Sequence, residues 1–307
     1  MSKYGEYRGN DLLELLLHIS NMDFKYRNDI VYNDDITYGI EIEYENVPKY
    51  IVNRYINKNY KKWITVNDCS LDIGGEIVSP IIHGNINDWD EIESISDYLK
   101  NKNVNTIDNA GFHIHIGRQI FKAKEELLLF IKLYILYEHV IFRFAYGDKP
   151  YARKKINEYA APIGLELYNM LNVLEKLSLE EIYNKLSKLS RYRSINFTNI
   201  NSSTIKKTIE FRLFNASSSK TIIQNDINST INLCNINSNI DKEMINYEIS
   251  KFENKSNYLY NNLDIKSSLQ YVDYIFKEDI DKDYFLKQYI KKNETIYGIK
   301  NSKIINK

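Results

Sequence analysis

The 307-residue sequence predicts an α+β fold, and three observations carry that expectation. Residues 37–45, 112–117 and 208–213 alternate polar and apolar side chains singly, the two-residue period of half-buried strands. Residues 88–100, 122–146 and 219–237 instead space their apolar residues for helices. The connectors at 67–75 and 201–204 are rich in the Asn, Asp, Ser and Gly residues that form turns.

Taken in order, Leu12, Leu13, Leu16 and Leu17 predict a first helix over 11–20 with Asn10 as its N-cap, so residues 1–36 read as a helical extension. Residues 37–45 are the first strand. A less regular stretch follows, then a strand pair at Lys62-Trp63-Ile64-Thr65-Val66 and Glu76-Ile77-Val78-Ser79. Residues 88–100 are an amphipathic helix, 112–117 a strand and 122–146 a long, mostly apolar helix expected to be buried. After a loop containing Lys149-Pro150 and Arg153-Lys154-Lys155, helical spacing returns over 175–190. Strands at 191–199 and 207–215 are joined by Asn201-Ser202-Ser203-Thr204, which predicts an antiparallel hairpin. The helix at 219–237 has Ser218, Ser219 or Thr221 as cap. The expected domains are therefore 1–36, a catalytic unit over 37–240 and a charged, Tyr-rich helical extension over 241–307 packed on it.

Composition narrows the function. With 41 basic and 41 acidic side chains the net charge is +0, which lacks the cationic excess that nucleic-acid or anionic-membrane binding needs. Two cysteines, Cys69 and Cys234, make no disulfide framework, and Leu12–Ile19 is too short for a membrane span. A cytoplasmic protein without nucleic-acid or membrane partners is expected. The sequence does not indicate its oligomeric state.

Strand parity places the chemistry. Glu41 and Glu43 share one face, opposite Ile40, Ile42 and Tyr44; His113 and His115 share a face, as do Glu210 and Arg212. Glu76 opens a further strand. Each piece alone has a bland explanation: an edge strand facing solvent, a loop-end acid, a surface ion pair. Together they describe a cradle for hard cations and a polyanion, and so many carboxylates favour magnesium, or manganese, over softer metals. His-x-His with a distant Glu would also suit a zinc hydrolase. Arg191 and Arg193 share a face on the strand before Arg212, so three guanidiniums and one carboxylate could meet around a phosphoryl group. The run Arg153–Lys155 reads as a solvated charge run that could add a phosphate contact. Glu45, on the face of Glu41, reads as solvated, and Gly39 as a place where backbone passes closely.

The ordered set Gly39-Ile40-Glu41-Ile42-Glu43, Asp68 and Ser70 with Glu76-Ile77-Val78-Ser79-Pro80, Gly111-Phe112-His113-Ile114-His115-Ile116-Gly117, Arg193 with Asn196, and Thr208-Ile209-Glu210-Phe211-Arg212 resembles the amidoligase family, carboxylate-amine ligases with a glutamine-synthetase-like catalytic fold. The resemblance runs over about residues 37–216. It implies a curved antiparallel sheet with helices packed outside, ATP as cofactor with two or more magnesium ions, and an ATP-dependent ligase that forms an amide through an acyl phosphate. It assigns metal and nucleotide contacts to Glu41, Glu43, Glu76, Glu210 and His113 or His115, and phosphoryl contacts to Arg212 with Arg191 or Arg193. Arg153 is assigned to the nucleotide, and Tyr159 and Pro162 resemble a family segment of the same order. Cys69 stands where the family has glycine. The substrates implied are a small-molecule or peptide carboxylate and an amine; a guanidino-kinase-like phosphotransferase on the same scaffold, or a catalytically silent relative, are the alternatives.

Overall fold

The computed structural model describes residues 3–106, 109–149, 151–203, 207–236, 240–254 and 262–291. Thr204 of the expected turn, Pro150 and residues 292–307 of the expected C-terminal extension lie outside the described residues. The centre is a six-stranded sheet built from β1 (Tyr38–Glu45), β2 (Ile64–Val66), β3 (Gly74–Val78), β4 (Gly111–Gly117), β5 (Ile195–Asn196) and β6 (Thr208–Asn215). The spatial order is β2-β3-β1-β4-β6-β5, with every neighbouring pair antiparallel. The fold is α+β.

The helices are α1 (Gly9–Asn21), α2 (Lys49–Asn59), α3 (Ile86–Asn101), α4 (Lys124–Ala145), α5 (Ile156–Tyr159), α6 (Gly164–Leu174), α7 (Leu179–Leu186), α8 (Lys220–Cys234), α9 (Lys242–Ser250), α10 (Ile265–Ile275) and α11 (Asp279–Ile290). One face of the sheet feeds the core through Ile40, Ile42, Ile77, Phe112, Ile114, Ile209 and Phe211, all essentially inaccessible to water. Against it lies α4, apolar on nearly every side because α6, α8, α9, α10 and α11 surround its outer faces. Phe130 and Phe144 of α4 meet Phe211 and Phe214 of β6 at centroid distances of 6.1 and 6.5 Å. With this face sealed, strand alternation leaves the other face to the polar residues.

Local sequence explains the ends of several helices. Asn85 caps α3 by accepting from the backbone N–H groups of Asn87 and Asp88, and the Asp88 carboxylate returns a bond from Asn85 N. Ser178 and Glu181 cap α7 in the same reciprocal way. The first helix starts earlier than its apolar spacing suggests: Arg8, not Asn10, is the N-cap of α1. The strand expected over 191–199 is reduced to Ile195–Asn196. Ahead of it, Arg193 bridges to Ala161 in parallel, and Ser194 N donates to Ala161 O at 2.7 Å, so this backbone is committed to the 160s segment. Two helices, α2 and α6, occupy stretches expected to be a less regular segment and a loop, although Val52 and Ile56, and Leu167, Leu171 and Leu174, stand at helical spacing.

Candidate active site

The polar face of the sheet holds the predicted carboxylates and imidazoles at mutual contact. Register sets Glu43 opposite Glu76, Glu41 opposite His113, and His115 opposite Glu210. Glu41 is the hub: its two oxygens meet His113 Nδ1 at 3.1 Å and His115 Nε2 at 3.0 Å. His113 also lies 3.6 Å from Glu210 Oε1 and, through Nε2, 3.4 Å from Glu43 Oε1. That second contact lacks hydrogen-bond alignment, so the buried Nε2 makes no hydrogen bond.

A bulge in β6 directs the arginine into this cluster. Phe112 pairs with Phe214 and Ile114 with Phe211, so Arg212 and Leu213 together stand opposite His113. The extra residue lets Phe211 and Phe214 both face the core while Glu210 and Arg212 face the site. Arg212 Nη1 is paired with Glu210 Oε1, and Arg212 Nε donates to Tyr159 O at 3.3 Å. Asn196 Nδ2 donates to the other Glu210 oxygen at 2.7 Å, fixing the carboxylate from β5.

Arg153 corrects the expectation of a solvated run, because it is 5% exposed. Its backbone N–H donates to Asn215 Oδ1 and its Nη2 to Arg212 O, both at 2.8 Å, and Nη1 lies 3.6 Å from Glu43 Oε2. The side chain passes over Gly111, where an added Cβ would sit 1.5 Å from Arg153 Nη1. Gly111 N also donates to Glu43. Close passage therefore explains Gly111, whereas a Cβ on Gly39 would meet Ser79 Oγ at an ordinary 3.5 Å, contrary to the expectation for that glycine. Glu45 is buried rather than solvated, accepting from Asn109 N and Nδ2.

The arginines before β5 separate. Arg191 lines the site, but Arg193 turns to a different cavity and pairs with Glu166 at 2.9 Å. The expected meeting of three guanidiniums is instead made by Arg153, Arg191 and Arg212, which line one cleft of about 530 Å³ with Glu41, Glu43 and Glu76. Asp68, Cys69 and Ser70 form its rim, where Asp68 Oδ1 accepts from Ser70 N at 2.7 Å in a turn. A second chamber of about 330 Å³ opens on the other side of Glu41. It is walled by Gly39, Val78, Pro80 and Ile81, with His115, Lys207 and Thr208 at its polar end.

Proton affinities record the crowding. Burial, then the negative charge of Glu41 and a hydrogen bond with it, push the Glu76 carboxyl up to about 9. For Glu41 burial acts in the same direction, but hydrogen bonds from His113 and His115 outweigh it and hold the group below the ordinary carboxylate range. Glu210 is likewise held low against burial, by His113, His115 and Arg212. Glu41, His115 and Glu210 each bring one ligand atom within 4.8 Å of the others. Clustered carboxylates, one of them retaining its proton for want of a compensating charge, with an unbonded buried imidazole nitrogen beside them, fit a divalent cation.

A family model described as "putative amidoligase enzyme" matches residues 49–235, more than half of the chain. The chain belongs to the amidoligase family. Membership supports a ligase-type reaction. The matched segment includes Glu76, His113, His115, Arg153, Glu210 and Arg212; Glu41 and Glu43 precede it, joined to it by the pairing of β1 with β3 and β4. Among solved structures, the amidoligase chain is similar to a bifunctional glutathione synthetase from Pasteurella multocida, with a TM-score of 0.43 and 13% identity over 86% of this chain and 49% of that one. The chain thus spans about half the length of that protein. No curated protein matches it. Among the described residues no helix is long and apolar enough to cross a membrane.

Proposed function

We propose that the protein is an ATP-dependent carboxylate-amine ligase whose sheet is of the glutamine-synthetase-like catalytic type. The observation that carries this reading is the meeting, in one cleft, of the carboxylates of Glu41, Glu43 and Glu76 with His113 and the guanidiniums of Arg153 and Arg212, with His115 against Glu41 and Glu210 against Arg212 directly behind them. Glu41, Glu43, Glu76, Glu210 and His113 or His115 would hold magnesium, or manganese. Such a cation neutralises phosphate oxygens and polarises the phosphorus for attack.

The chain's own residues then have defined tasks. The apolar chamber would suit a nucleoside base, and Arg153 and Arg212, in the cleft on the other side of Glu41, would receive phosphate oxygens. An oxygen of the substrate carboxylate attacks the terminal phosphorus, the bond to the bridging oxygen breaks, and ADP leaves. The amine nitrogen next attacks the acyl carbon, phosphate departs, and the amine gives up a proton. Arg212 meets the transferred phosphoryl group, held in aim by Glu210, Asn196 and the Tyr159 carbonyl, so little ordering is left to the moment of transfer. Arg153, with its backbone fixed by Asn215, supplies a second guanidinium.

The test uses ATP, magnesium, a pool of carboxylic acids and hydroxylamine as a general amine. ADP and a hydroxamate should form together, only when acid and amine are both present. Stable transfer of phosphate to an acceptor without hydroxamate would instead favour the phosphotransferase.

A further inference from the structure

Glu138 is a buried acid that stands outside the lining of the cleft. It belongs to α4, on the core side of the sheet, and is 1% exposed. Burying a carboxylate is costly unless donors meet it, and here one oxygen, Oε1, accepts from three: Ile163 N at 2.7 Å, Gly164 N at 3.0 Å and Ser194 Oγ at 3.3 Å. The first two lie at the start of α6, whose N-cap, Ile163, has no side-chain oxygen to offer, so Glu138 caps that helix from another element. The third is held in turn by Tyr134, one turn earlier in α4, whose hydroxyl donates to Ser194 Oγ at 2.8 Å. A glycine permits the approach. A Cβ on Gly164 would stand 2.7 Å from Glu138 Oε2.

The two segments that Glu138 ties together are the ones that hold Arg212. Tyr159 O, just before α6, accepts from Arg212 Nε at 3.3 Å, and Ser194 O accepts from Arg212 N at 2.9 Å. Asn196, two residues on, fixes Glu210, the partner of the guanidinium. Ser194 N and Ala161 O, 2.7 Å apart, join the segments directly. We infer that Glu138 is a positioning residue for phosphoryl transfer, holding the 159–164 segment and Ser194 in the arrangement that points Arg212 at the transferred group. The inference rests on the ligase reading only for the identity of the group that Arg212 meets. A displacement of about 1 Å at a catalytic group can cost on the order of a hundredfold, so a carboxylate outside the cleft can govern turnover while the nucleotide keeps its own contacts.

Two variants move this carboxylate by different routes, and either suffices where the other does not fold. Glu138→Asp withdraws it by one methylene, and Gly164→Ala crowds it from a helical position that suits alanine. In each, kcat for ADP formation should fall about tenfold or more while the KM for ATP stays within about threefold. A cycle with Arg212→Lys separates positioning from a general loss of structure: if Glu138 acts through Arg212, Glu138→Asp combined with Arg212→Lys falls no further than Arg212→Lys alone. Additive losses overturn the inference, as does an unchanged kcat in the variants. A second readout needs no turnover. The Arg212 Nε–H resonance, assigned by its loss in Arg212→Lys, should shift and exchange faster with water in both variants, and an unchanged resonance overturns the inference whatever the reaction. ADP reports phosphoryl transfer of any kind, and hydroxamate reports the ligase alone. ADP without hydroxamate therefore sinks the ligase and leaves the cycle readable, whereas hydroxamate with additive losses keeps the ligase and removes Glu138 from it.

Discussion

Two acids on opposite sides of the sheet, one buried and one half-buried, hold their protons above the ordinary carboxylate range, and they do so on different terms. Asp226, in α8, has no exposed surface; burial raises its proton affinity, Gln288 Nε2 donates to one oxygen at 2.7 Å, and the Lys291 charge opposes the shift. Gln288 is itself bonded to Phe144 O and Asn225, so one oxygen of the acid belongs to a network within the helices, while its Oδ2 makes no hydrogen bond. Glu76 borders the open cleft, stands opposite Glu43, and is raised by burial and by Glu41. Its neighbours are other acids, and the protein leaves their repulsion in place. The helical layer thus meets its buried acid with an amide and a lysine of its own, whereas the cleft sets acid against acid and leaves a charge for a ligand to neutralise. Removing a group should destabilise the first and cost binding or turnover in the second.

The largest effect is expected at Glu41. Glu41→Gln keeps a side chain that can hydrogen-bond His113 and His115 but removes the charge at the hub, so magnesium-supported binding of a non-hydrolysable ATP analogue should weaken by about a hundredfold or more. The melting temperature should stay within a few degrees. Glu43 is a poorer probe, since its loss would take from buried Arg153 its nearer counter-charge. Unchanged nucleotide affinity in Glu41→Gln by calorimetry would remove the metal assignment and with it the contrast between the two regions.

Next is Arg212→Lys, for which turnover should fall on the order of a hundredfold while folding and most ATP affinity persist, because an ammonium does not reproduce the planar fork. Near-normal turnover would return Glu210 and Arg212 to a structural ion pair. On the helical side, Asp226→Ala should cost about 1–3 kcal/mol by stranding the Gln288 amide, while Asp226→Asn, close in shape to the protonated acid, should cost less. Chemical denaturation decides it, and the comparison breaks if Asp226→Ala is neutral.

How far these regions could be read from the sequence differs for physical reasons. Strand alternation placed Glu41, Glu43, His113, His115, Glu210 and Arg212, because a sealed core face leaves one face for everything polar. It missed Arg153, whose burial depends on a distant glycine: Gly111 leaves the space through which the side chain passes. The β6 bulge had a trace in the adjacent apolar pair Leu213-Phe214, which breaks the alternation. The strand over 191–199 failed because backbone pairing with Ala161, a long-range contact, outcompeted local alternation there. Helix α8 was found, but its polar residues Asn225, Asp226 and Asn228 gave no sign of burial, since segments distant in sequence, α11 and Tyr32 among them, enclose them.

The smallest effect is the sharpest test of the contrast, and it lies in the pH dependence of the metal-free protein. In the unfolded chain Glu76 releases its proton near the ordinary value of 4.5, whereas the native group holds it to about 9. Between those values the native state binds the extra proton, so this group's contribution makes stability fall as pH rises through the window. Glu76→Gln cannot lose a proton and escapes that fall. In EDTA, the melting temperature of the variant minus that of the wild type should therefore grow as pH increases from about 5 toward 9 and be smallest at the acid end. Magnesium should close the gap near pH 8 by taking the proton's place in the wild type, while the variant, one charge short, responds less. Parallel melting profiles in EDTA across the whole range would mean that the cleft resolves its repulsion without a ligand, as the helical layer does.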